Sequence, residues 1–332
     1  MNLLKCLFIM LLISEVLFAT SLHKKRILYV DSYHLNYGNS TIMIESFENK
    51  LKANALNYEL KIIRMDSKRQ KKVAYLKNVA LDIKSYISQY KPDLVIVAED
   101  NASKYLVVPH YKNSTVPFIF IGVNDSIVEY GYPFNNVTGQ IEVNFVKPMV
   151  KLLEKHSRGN RIGYLNDQTF TSQKTLLDLE KKFNRKVYKK LINSLDEWKK
   201  EFLNMQKKVD ILLLGTNRFV NKDDKALMDF VKTNTSIITA GWDKPIASMV
   251  LLVFAKDPYE FGEWAGEKAI EVLNGKAIKK IEITKNKKAK KAMKRIQKYL
   301  FVICNLCVLT FYISSCDVGR DYARPEQNIA LE

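Results

Sequence analysis

The central part of this chain contains no cysteine. Of the four cysteines among 332 residues, Cys6 lies near the amino terminus, and Cys304, Cys307 and Cys316 lie near the carboxyl terminus. A body without cysteine has neither a disulfide framework nor a cysteine metal site. Cys304 and Cys307 have the C-x-x-C spacing of redox pairs, but they lie in a membrane-type apolar run without a βαβ context. We therefore assign this pair no redox function.

Histidine is also scarce, and known catalytic motifs are absent. The four histidines, at positions 23, 34, 110 and 156, do not have metal-ligand spacing. The chain has no G-x-S-x-G nucleophile elbow, no G-x-x-x-x-G-K phosphate loop and no H-E-x-x-H zinc motif. We therefore expect a protein that is not an enzyme and that uses no metal and no cofactor.

The excess of positive charge is concentrated in one segment. The formal net charge is +18, and eleven basic residues lie between Lys276 and Lys298, where Glu282 is the single acid. The remaining excess is spread among acids over the whole chain. We find no basic groove with interleaved aromatic residues, which nucleic-acid-binding proteins typically show. The sequence therefore predicts no nucleic-acid partner.

The amino terminus has the pattern of an export signal. Lys5 supplies the positive region, residues 7–13 the apolar core, and Ala19-Thr20-Ser21 a cleavage site of small residues. We expect cleavage after Ser21, with Ala19 as the alternative, so that residues 1–21 form the signal peptide. The apolar run is shorter than the ~20 residues that a membrane span needs. The sequence therefore predicts export, most simply to a bacterial periplasm.

Strands and helices alternate along the body. Short apolar runs rich in β-branched residues predict buried strands, and apolar residues at helical spacing predict the helices between them. This alternation indicates α/β lobes, each with a parallel sheet flanked by helices. Strands are predicted at residues 25–30, 58–64, 91–98, 116–123, 161–165, 186–192, 209–214, 236–240, 249–255 and 281–283, and helices at residues 42–56, 73–90, 145–156, 171–183, 194–207, 223–233 and 259–273.

We divide the body into two lobes. Lobe 1 is predicted to comprise residues 22–140 and about 246–280, and lobe 2 residues 141–245. Residues 281–292 are assigned to a last hinge strand with a basic linker. The crossovers near residues 140–144 and 245–247 are expected to act as hinges when a ligand closes the two lobes about it.

The candidate binding residues directly follow predicted strands, where open α/β sheets bind ligands. In lobe 1 they are Tyr33, His34, Asp100, Asn101 and Asn124; in lobe 2 they are Asn166, Thr169, Thr216, Asn217, Trp242 and Asp243.

The chemistry of these residues suits a small zwitterion. Asp100 or Asp243 would pair with an ammonium group, and Asn124 or Thr169 would donate to a carboxylate. Tyr33 and Trp242 offer faces for stacking. Structural functions remain open: His34 as a helix cap, Trp242 as hinge packing, Asp31 and Asp66 as turn formers, and Glu142 as a hydrogen-bonding residue of the hinge.

Several of these segments resemble one known family. The chain between about residues 25 and 291 is similar, in the same order, to the uncharacterised ABC-transporter substrate-binding family, which includes tryptophan- and tyrosine-binding members. The resemblance implies the type I periplasmic-binding-protein fold, with two α/β lobes joined by hinge strands. It is carried by Ser32-Tyr33-His34, residues 65–69, residues 99–102 with Lys104 and Tyr105, Gly122-Val123-Asn124, residues 136–139, Glu142, and residues 257–266 through Gly275.

Two functions are compatible with this resemblance. The first is an extracytoplasmic solute-binding protein that delivers a small amino-acid-like solute to an ABC importer through its permease. The alternative is a sensory module that signals ligand occupancy to a membrane histidine kinase or receptor, since similar domains serve as such sensors. We expect a monomer in either case, and the sequence does not name the ligand.

The carboxyl-terminal tail departs from the family. Residues 293–298 begin a new positive region, residues 299–313 form an apolar core, and Ile313-Ser314-Ser315-Cys316 matches a bacterial lipobox. Residues 317–325 resemble the start of outer-membrane efflux lipoproteins. We interpret residues 293–332 as a fused neighbouring reading frame, with a membrane anchor as the rival interpretation, and expect them not to pack on the body. Membrane contact is expected only through the signal or this tail.

Overall fold

A computed structural model of the chain describes residues 24–124, 126–217, 219–221, 223–293 and 327–330. The predicted signal peptide and lipobox lie outside these residues. The strands are β1 (Lys25–Asp31), β2 (Tyr58–Arg64), β3 (Leu94–Ala98), β4 (Phe118–Asn124), β5 (Val137–Glu142), β6 (Ile162–Asp167), β7 (Tyr188–Ile192), β8 (Ile211–Leu214), β9 (Ile238–Gly241), β10 (Leu252–Lys256), β11 (Thr284–Lys285), β12 (Lys288–Met293) and β13 (Gln327–Ala330).

Helices connect most of these strands. A π-helical turn, Ser103–Val107, joins two short helices, and 3₁₀ turns occur at Val128–Tyr130, Lys244–Ile246 and Ile278–Lys280. The α-helices are α1 (Gly38–Ala53), α2 (Val73–Tyr90), α3 (Glu99–Ala102), α4 (Val108–His110), α5 (Val146–Glu154), α6 (Phe170–Phe183), α7 (Leu195–Met205), α8 (Lys225–Asn234) and α9 (Pro258–Leu273).

The described chain divides into two compact lobes. Lobe 1 contains the residues up to Val143 and residues Pro258–Asn286, and lobe 2 contains Asn144–Asp257 and the residues from Lys287 onward. In lobe 1 the described strands form a parallel sheet in the order β11-β5-β4-β3-β1-β2. In lobe 2 the order is β13-β12-β10-β9-β8-β6-β7, and all neighbours are parallel except β10–β12 and β12–β13.

The sheet of lobe 1 is covered on both faces, as the unbroken apolar runs predict. Alternate residues of β1 show this arrangement. Ile27 and Tyr29 belong to the cluster that includes α1 and α9, and Leu28 and Val30 belong to the cluster that includes α2. Burial of apolar surface on both faces supplies the main stabilisation of the lobe.

Helix α9 returns to lobe 1 and packs closely on α1. A Cβ atom at Gly262 would lie 2.0 Å from the backbone oxygen of Met43 and 2.0 Å from the hydroxyl of Ser46. A residue larger than glycine therefore cannot occupy this position without moving one of the helices. This contact holds α9 in lobe 1, which the chain re-enters after residue 257.

The central strands of both lobes have the same order. It is β2-β1-β3-β4-β5 in lobe 1 and β7-β6-β8-β9-β10 in lobe 2. In each lobe the direction of strand addition reverses beside the first strand, between β1 and β3 and between β6 and β8. The carboxyl ends of the strands at such a switch point are the preferred ligand-binding position of open α/β sheets.

The predicted boundaries between the lobes need correction. The chain passes between lobes after Val143, after Asp257 and after Asn286. The first crossing agrees with the expected hinge region, but residues 246–257 belong to lobe 2 rather than lobe 1. The reason is that β10 pairs in parallel with β9, which places it in the sheet of lobe 2.

The side chain of Asn286 links the two segments of lobe 1 from which the first and the last of these crossings begin. Its Oδ1 accepts from the backbone N–H of Val143 at 2.6 Å, and its Nδ2 donates to the backbone oxygen of Val143 at 3.3 Å. The buried amide therefore satisfies both backbone groups of Val143, as a neighbouring strand would.

The predicted basic linker is a strand. Residues Lys288–Met293 form β12, which pairs antiparallel with β10, and Ala289 is buried in the core of lobe 2. The expectation that the tail stays apart from the body is wrong for Met293, which ends β12, and for residues Gln327–Ala330, which pair with β12 as β13. An edge strand offers unpaired backbone groups, and an extended segment can pair with them whatever its side chains.

Candidate functional site

Tyr33 and Glu99 meet at the switch point of lobe 1. Tyr33 follows β1, Glu99 follows β3, and these two strands are neighbours. The hydroxyl of Tyr33 donates to Oε2 of Glu99 at 3.1 Å. The backbone N–H of Tyr33 donates to Oδ1 of Asp31 at 2.9 Å, so the loop after β1 is fixed by the last residue of the strand. Asp31 thus has the turn-forming function that the sequence left open.

Aromatic side chains surround Tyr33. The rings of Tyr33 and Tyr37 lie 4.6 Å apart, and the ring of His34 meets Tyr37 edge-on at 5.6 Å. The Nζ atom of Lys68 lies 4.4 Å from the centre of the Tyr33 ring and 5.5 Å from that of Tyr37. A cation over the face of a tyrosine is stabilised by the negative charge of the π system. This corner of lobe 1 is therefore already occupied by an ammonium group.

His34 does not cap helix α1. The helix begins after Tyr37 and has no side-chain hydrogen bond at its cap. Nδ1 of His34 instead lies 3.8 Å from Oδ1 of Asp66, which also accepts from Arg69 at 2.7 Å. The backbone of Asp66 has a φ of 54°, which is typical of a turn residue. His34 as a ligand-binding residue remains a prediction.

Asp100 and Asn124, both predicted site residues, are bonded to each other. Oδ2 of Asp100 accepts from Nδ2 of Asn124 at 2.5 Å, and Oδ1 accepts from the hydroxyl of Tyr130 at 2.7 Å. Oδ1 also receives the backbone N–H of Asn124 at 3.3 Å. Three donors therefore converge on Asp100, which ties the end of β4 to helix α3. Asn101 lies half-buried one residue further along α3.

Burial shifts several pKa values in lobe 1. The pKa of the Tyr33 hydroxyl is raised by burial and further by the negative charge of Glu99. The pKa of Tyr130 is raised by burial and by Asp100. Both hydroxyls therefore stay protonated at physiological pH and act as hydrogen-bond donors to the neighbouring carboxylates. Burial also raises the pKa of Asp31, and the nearby Arg64 lowers it by less.

At the switch point of lobe 2, Asn166 is held by neighbouring groups. Its Nδ2 donates to the hydroxyl of Tyr164 at 2.7 Å, and its Oδ1 accepts from the backbone N–H of Asp167 at 2.9 Å. A Cβ atom at Gly215, the residue directly after β8, would lie 2.2 Å from Nδ2 of Asn166. The glycine therefore leaves the space that this amide occupies.

A second network in lobe 2 surrounds Asp167. Its Oδ1 accepts from the hydroxyls of Thr169 at 3.1 Å and Ser172 at 2.8 Å. The hydroxyl of Thr169 also accepts from the backbone N–H of Ser172 at 3.2 Å, which makes Thr169 the N-cap of α6. The geometry gives Thr169 a capping function, and its part in ligand binding stays a prediction.

Thr216 and Asp243 form a polar pair at the ends of β8 and β9. The hydroxyl of Thr216 donates to Oδ2 of Asp243 at 3.1 Å. Oδ1 of Asn217 accepts from the backbone N–H groups of Phe219 and Val220, each at 3.1 Å, and so shapes the loop after β8. Thr216 is exposed and Asp243 is half-buried, so both present polar atoms at the surface of lobe 2.

Trp242 packs inside lobe 2. Its indole is 5% exposed and stacks on Tyr164, with ring centres 6.0 Å apart. It belongs to the apolar cluster that includes α5, β6 and β10. Trp242 therefore packs against the core of lobe 2 in this structure. Its stacking on a ligand stays a prediction.

Away from the strand ends, the described residues form neither a metal site nor a membrane span. Among them no group of three or more histidine, cysteine or acidic residues is arranged to hold a metal ion. Within the part of the chain that the structure describes, the helices are too short or too polar to cross a membrane. A cavity of about 320 Å³ in lobe 2 includes Arg161 and Arg185 in its wall. These cations already pair with Asp210 and Glu154.

Sequence reasoning missed Glu99, Tyr130 and Asp167. Glu99 directly follows a buried strand, and the rule that placed Asp100 in the site applies equally to it. Asp167 is the last residue of β6 and is missed because the strand extends further than its apolar run. Tyr130 is remote in sequence from Asp100, and only the fold brings the two side chains together.

Comparison with known proteins supports the architecture. No protein-family model matches the chain. Over 180 residues, 51% of the chain, it is 26% identical to a curated tyrosine-binding protein from Clostridioides difficile (strain R20291), and the match covers 52% of that protein. The chain thus spans about half the length of this curated relative.

Two solved structures have a similar fold. One is the ligand-free, open form of a substrate-binding protein with adhesive properties from Clostridium difficile, with a TM-score of 0.65 and 17% identity over 89% of this chain and 100% of that chain. The other is an ABC domain in complex with L-Trp from Streptococcus pneumonia, with a TM-score of 0.56 and 14% identity over 85% and 95% of the two chains. The fold is that of the type I periplasmic-binding proteins, as predicted.

Proposed function

We propose that the chain is an extracytoplasmic solute-binding protein that captures a small amino-acid-like solute and delivers it to an ABC importer. The observation that carries the proposal is the presence of polar clusters at the switch points of both lobes. Tyr33 and Glu99 lie at the first, and Asn166 and the neighbouring Gly215 lie at the second. Switch points are where open α/β sheets bind their ligands.

The amino-acid class is supported by chemistry and by the relatives. A zwitterion needs an anion for its ammonium group and hydrogen-bond donors for its carboxylate. Lobe 1 offers carboxylates beside tyrosine rings, and lobe 2 offers hydroxyl and amide groups. The curated relative is named for tyrosine, and one structure of similar fold holds L-Trp. We extend this class of solute to the present chain.

In this proposal the protein binds its solute without changing it. The structure offers polar groups that recognise charge, and the similar proteins are named for binding. The predicted signal peptide would export the chain, and the predicted partner is a membrane permease of the ABC class. We propose that the protein acts as a monomer.

A thermal-shift screen tests the binding step. The full chain is heated with each of the twenty standard amino acids, and with D-ribose as an uncharged control. A ligand present at 100 times its dissociation constant stabilises the folded state by about 2.7 kcal/mol. We expect at least one aromatic amino acid to raise the melting temperature by several degrees and ribose to leave it unchanged. A screen in which no amino acid shifts the transition would contradict the proposed solute class.

An uptake experiment tests the delivery step. Cells that lack the gene are compared with cells that carry it, using the labelled amino acid that gave the largest thermal shift. We expect uptake at low solute concentration to fall when the gene is absent and to return when it is restored. Unchanged uptake, together with loss of a transcriptional response to the solute, would instead identify the sensory module.

A further inference from the structure

The cavity in lobe 2 lies at the end of the sheet where the strands begin, away from the switch point. Its volume is about 320 Å³. Ile162 is the first residue of β6, Val187 directly precedes β7, and Val209 lies two residues before β8. These three side chains line the cavity and are buried, so part of its wall is apolar. Pockets for small molecules typically have volumes of about 300–1,000 Å³ and mostly apolar walls. The cavity can therefore hold a small organic molecule.

Two arginines in the wall have unused hydrogen-bond donors. Nε and Nη2 of Arg161 each donate to Asp210 at 2.9 Å, and Arg185 donates through Nη2 to Glu154. Nε of Arg185 is buried and has no hydrogen-bond partner among the described residues. A guanidinium group has five N–H donors, so each arginine keeps at least three of them for a further acceptor.

Two lysines in the wall add positive charge that no acid compensates. Among the described residues, the ion pairs of the wall are those of the two arginines, so Lys186 and Lys208 have none. Nζ of Lys208 donates to the hydroxyl of Tyr188 at 2.8 Å, and this contact raises the pKa of the lysine. The hydroxyl of Tyr188 accepts this bond, so its own proton can be donated to another acceptor. The wall therefore has two excess positive charges.

The first strand of lobe 1 begins with the same local arrangement. The backbone N–H of Arg26 donates to Oδ2 of Asp93 at 2.7 Å, and the backbone N–H of Arg161 donates to Oδ2 of Asp210 at 2.9 Å. In return, the N–H of each aspartate donates to the backbone oxygen of its arginine at 2.8 Å. Arg26 and Arg161 therefore hold equivalent positions, and the surroundings of the two arginines can be compared.

These surroundings differ in charge. Arg26 is paired in register with Glu59 of β2, and its Cζ lies 6.0 Å from the centre of the Tyr90 ring. In lobe 2 the register of β6 and β7, continued by two residues, places Lys186 beside Arg161. An acid and an aromatic ring of the chain itself thus lie next to the arginine of lobe 1, whereas lobe 2 has a second cation. Like charges repel, and an anion between them removes this repulsion.

We infer that this cavity binds an organic phosphate, which is a phosphate ester with a small apolar body. A phosphate monoester carries a charge of about −1.5 to −2 at neutral pH, which matches the two excess positive charges. Its oxygens accept from the unused N–H groups of Arg185 and from the hydroxyl of Tyr188. The apolar body packs on the three buried aliphatic side chains. The site lies at the opposite end of the strands from the switch point and does not rest on the proposed function.

Three probes test the chemistry of the site. The full chain is titrated calorimetrically with phenyl phosphate, with inorganic phosphate and with phenol. We expect phenyl phosphate to bind, and inorganic phosphate to bind at least about tenfold more weakly, because it has no ring to bury. Phenol, which lacks the anion, should give no measurable binding. Phenyl phosphate that binds no more tightly than inorganic phosphate would overturn the proposal.

Matched double variants test the position of the site. Lys186→Gln with Lys208→Gln removes the two uncompensated charges. An exposed ion pair changes affinity by up to about fivefold, so we expect phenyl phosphate to bind about tenfold more weakly. The control is Lys200→Gln with Lys232→Gln, two exposed lysines on α7 and α8 that do not line the cavity. It changes the net charge equally and should leave the affinity unchanged. Equal losses in both variants would indicate attraction to net charge and overturn the site.

Vesicles that contain phosphatidic acid distinguish two sources of the phosphate group. Cosedimentation of the chain with the vesicles that excess phenyl phosphate abolishes would identify a membrane lipid. No cosedimentation, or cosedimentation that persists in excess phenyl phosphate, would leave a soluble ester as the ligand of the cavity. A failure of the phosphate site leaves the proposed function standing, because the screen with amino acids tests that function separately.

Discussion

The strand-end surfaces of the two lobes differ in chemistry although the strands have the same order. In lobe 1 the switch point carries a carboxylate, Glu99, bonded to Tyr33 beside further aromatic rings. In lobe 2 the switch point carries a neutral amide, Asn166, bonded to Tyr164. At the switch point itself lobe 1 therefore has a carboxylate and lobe 2 an amide, and the nearby carboxylates of lobe 2, Asp167 and Asp243, are bonded to hydroxyl groups.

This difference indicates which lobe decides the charge of the ligand. An ionised carboxylate at a strand end favours a cationic group in a ligand, because opposite charges attract. Amide and hydroxyl groups accept or donate without a preference for one formal charge. We therefore expect substitutions in lobe 1 to change which ligands bind, and substitutions in lobe 2 to change how tightly they bind or how stable the lobe is.

The largest effect on stability is expected from Gly215→Ala in lobe 2. The new methyl group would lie 2.2 Å from Nδ2 of Asn166, so the amide has to leave Tyr164 and the backbone of Asp167. Overpacking together with the lost hydrogen bonds should destabilise the protein by about 2–3 kcal/mol. The matched control is Gly38→Ala, where a Cβ atom meets nothing within 4 Å. Equal melting temperatures for the two variants would show that the Asn166 network does not hold lobe 2.

Asp243→Ala tests the contribution of lobe 2 to affinity. Asp243 is bonded to the exposed Thr216 and presents polar atoms at the surface. We expect about a tenfold loss of affinity, equivalent to about 1.4 kcal/mol, with little change in the melting temperature. The control is Asp229→Ala, an exposed acid on α8. Calorimetric titration with L-tyrosine measures both, and identical affinities would remove Asp243 from the proposed site.

A smaller effect is expected from Tyr130→Phe in lobe 1. The substitution removes the hydroxyl that donates to Asp100 at 2.7 Å but keeps the ring in the apolar cluster. Loss of one hydrogen bond to a charged acceptor should destabilise the protein by about 1–2 kcal/mol. If the hydroxyl only holds Asp100 in place, the affinity for L-tyrosine is unchanged. An unchanged melting temperature would show that this hydrogen bond does not stabilise the end of β4.

The smallest effect is expected from Asp31→Asn. The pKa of Asp31 is raised in the folded state, mainly by burial, so its ionised form destabilises the fold at neutral pH. The unsubstituted protein should therefore gain relative stability as the pH falls through the folded-state pKa towards the unfolded value. The amide removes this dependence. We expect a rise in melting temperature on the order of 2 °C at pH 7 that disappears at low pH. A variant that is less stable at pH 7 would show that the hydrogen bonds from Tyr33 and Ser40, together with the contact with Arg64, outweigh burial.

Much of the fold could be predicted from the sequence. Ser194 caps α7 by accepting from the N–H of Glu197 at 3.1 Å, and the side chain of Glu197 accepts from the N–H of Asn193 at 2.8 Å, which is the arrangement that the Ser-x-x-Glu spacing favours. Gly275 follows α9 with a φ of +98°, the left-handed conformation that a glycine just after a helix commonly adopts. These local signals work because a cap or a turn depends on a few consecutive residues.

The errors concern contacts between distant residues. The lysine-rich run that forms β12 has no apolar pattern typical of a strand, and its pairing with β10 is visible only in the fold. The second passage between lobes lies after Asp257 rather than near residues 245–247, because β10 pairs with β9 in lobe 2. The left-handed backbone of Glu99 also has no sequence signal, because glutamate is not a residue that normally adopts it.

The central claim is that the chain binds an amino acid, and equilibrium dialysis tests it most directly. The full chain is placed on one side of a membrane and an equimolar mixture of the twenty standard amino acids on both sides, and each side is quantified at equilibrium. Our account predicts that one or two amino acids, tyrosine or tryptophan among them, are enriched on the protein side to a total of about one per chain. Identical amino-acid compositions on the two sides would contradict it.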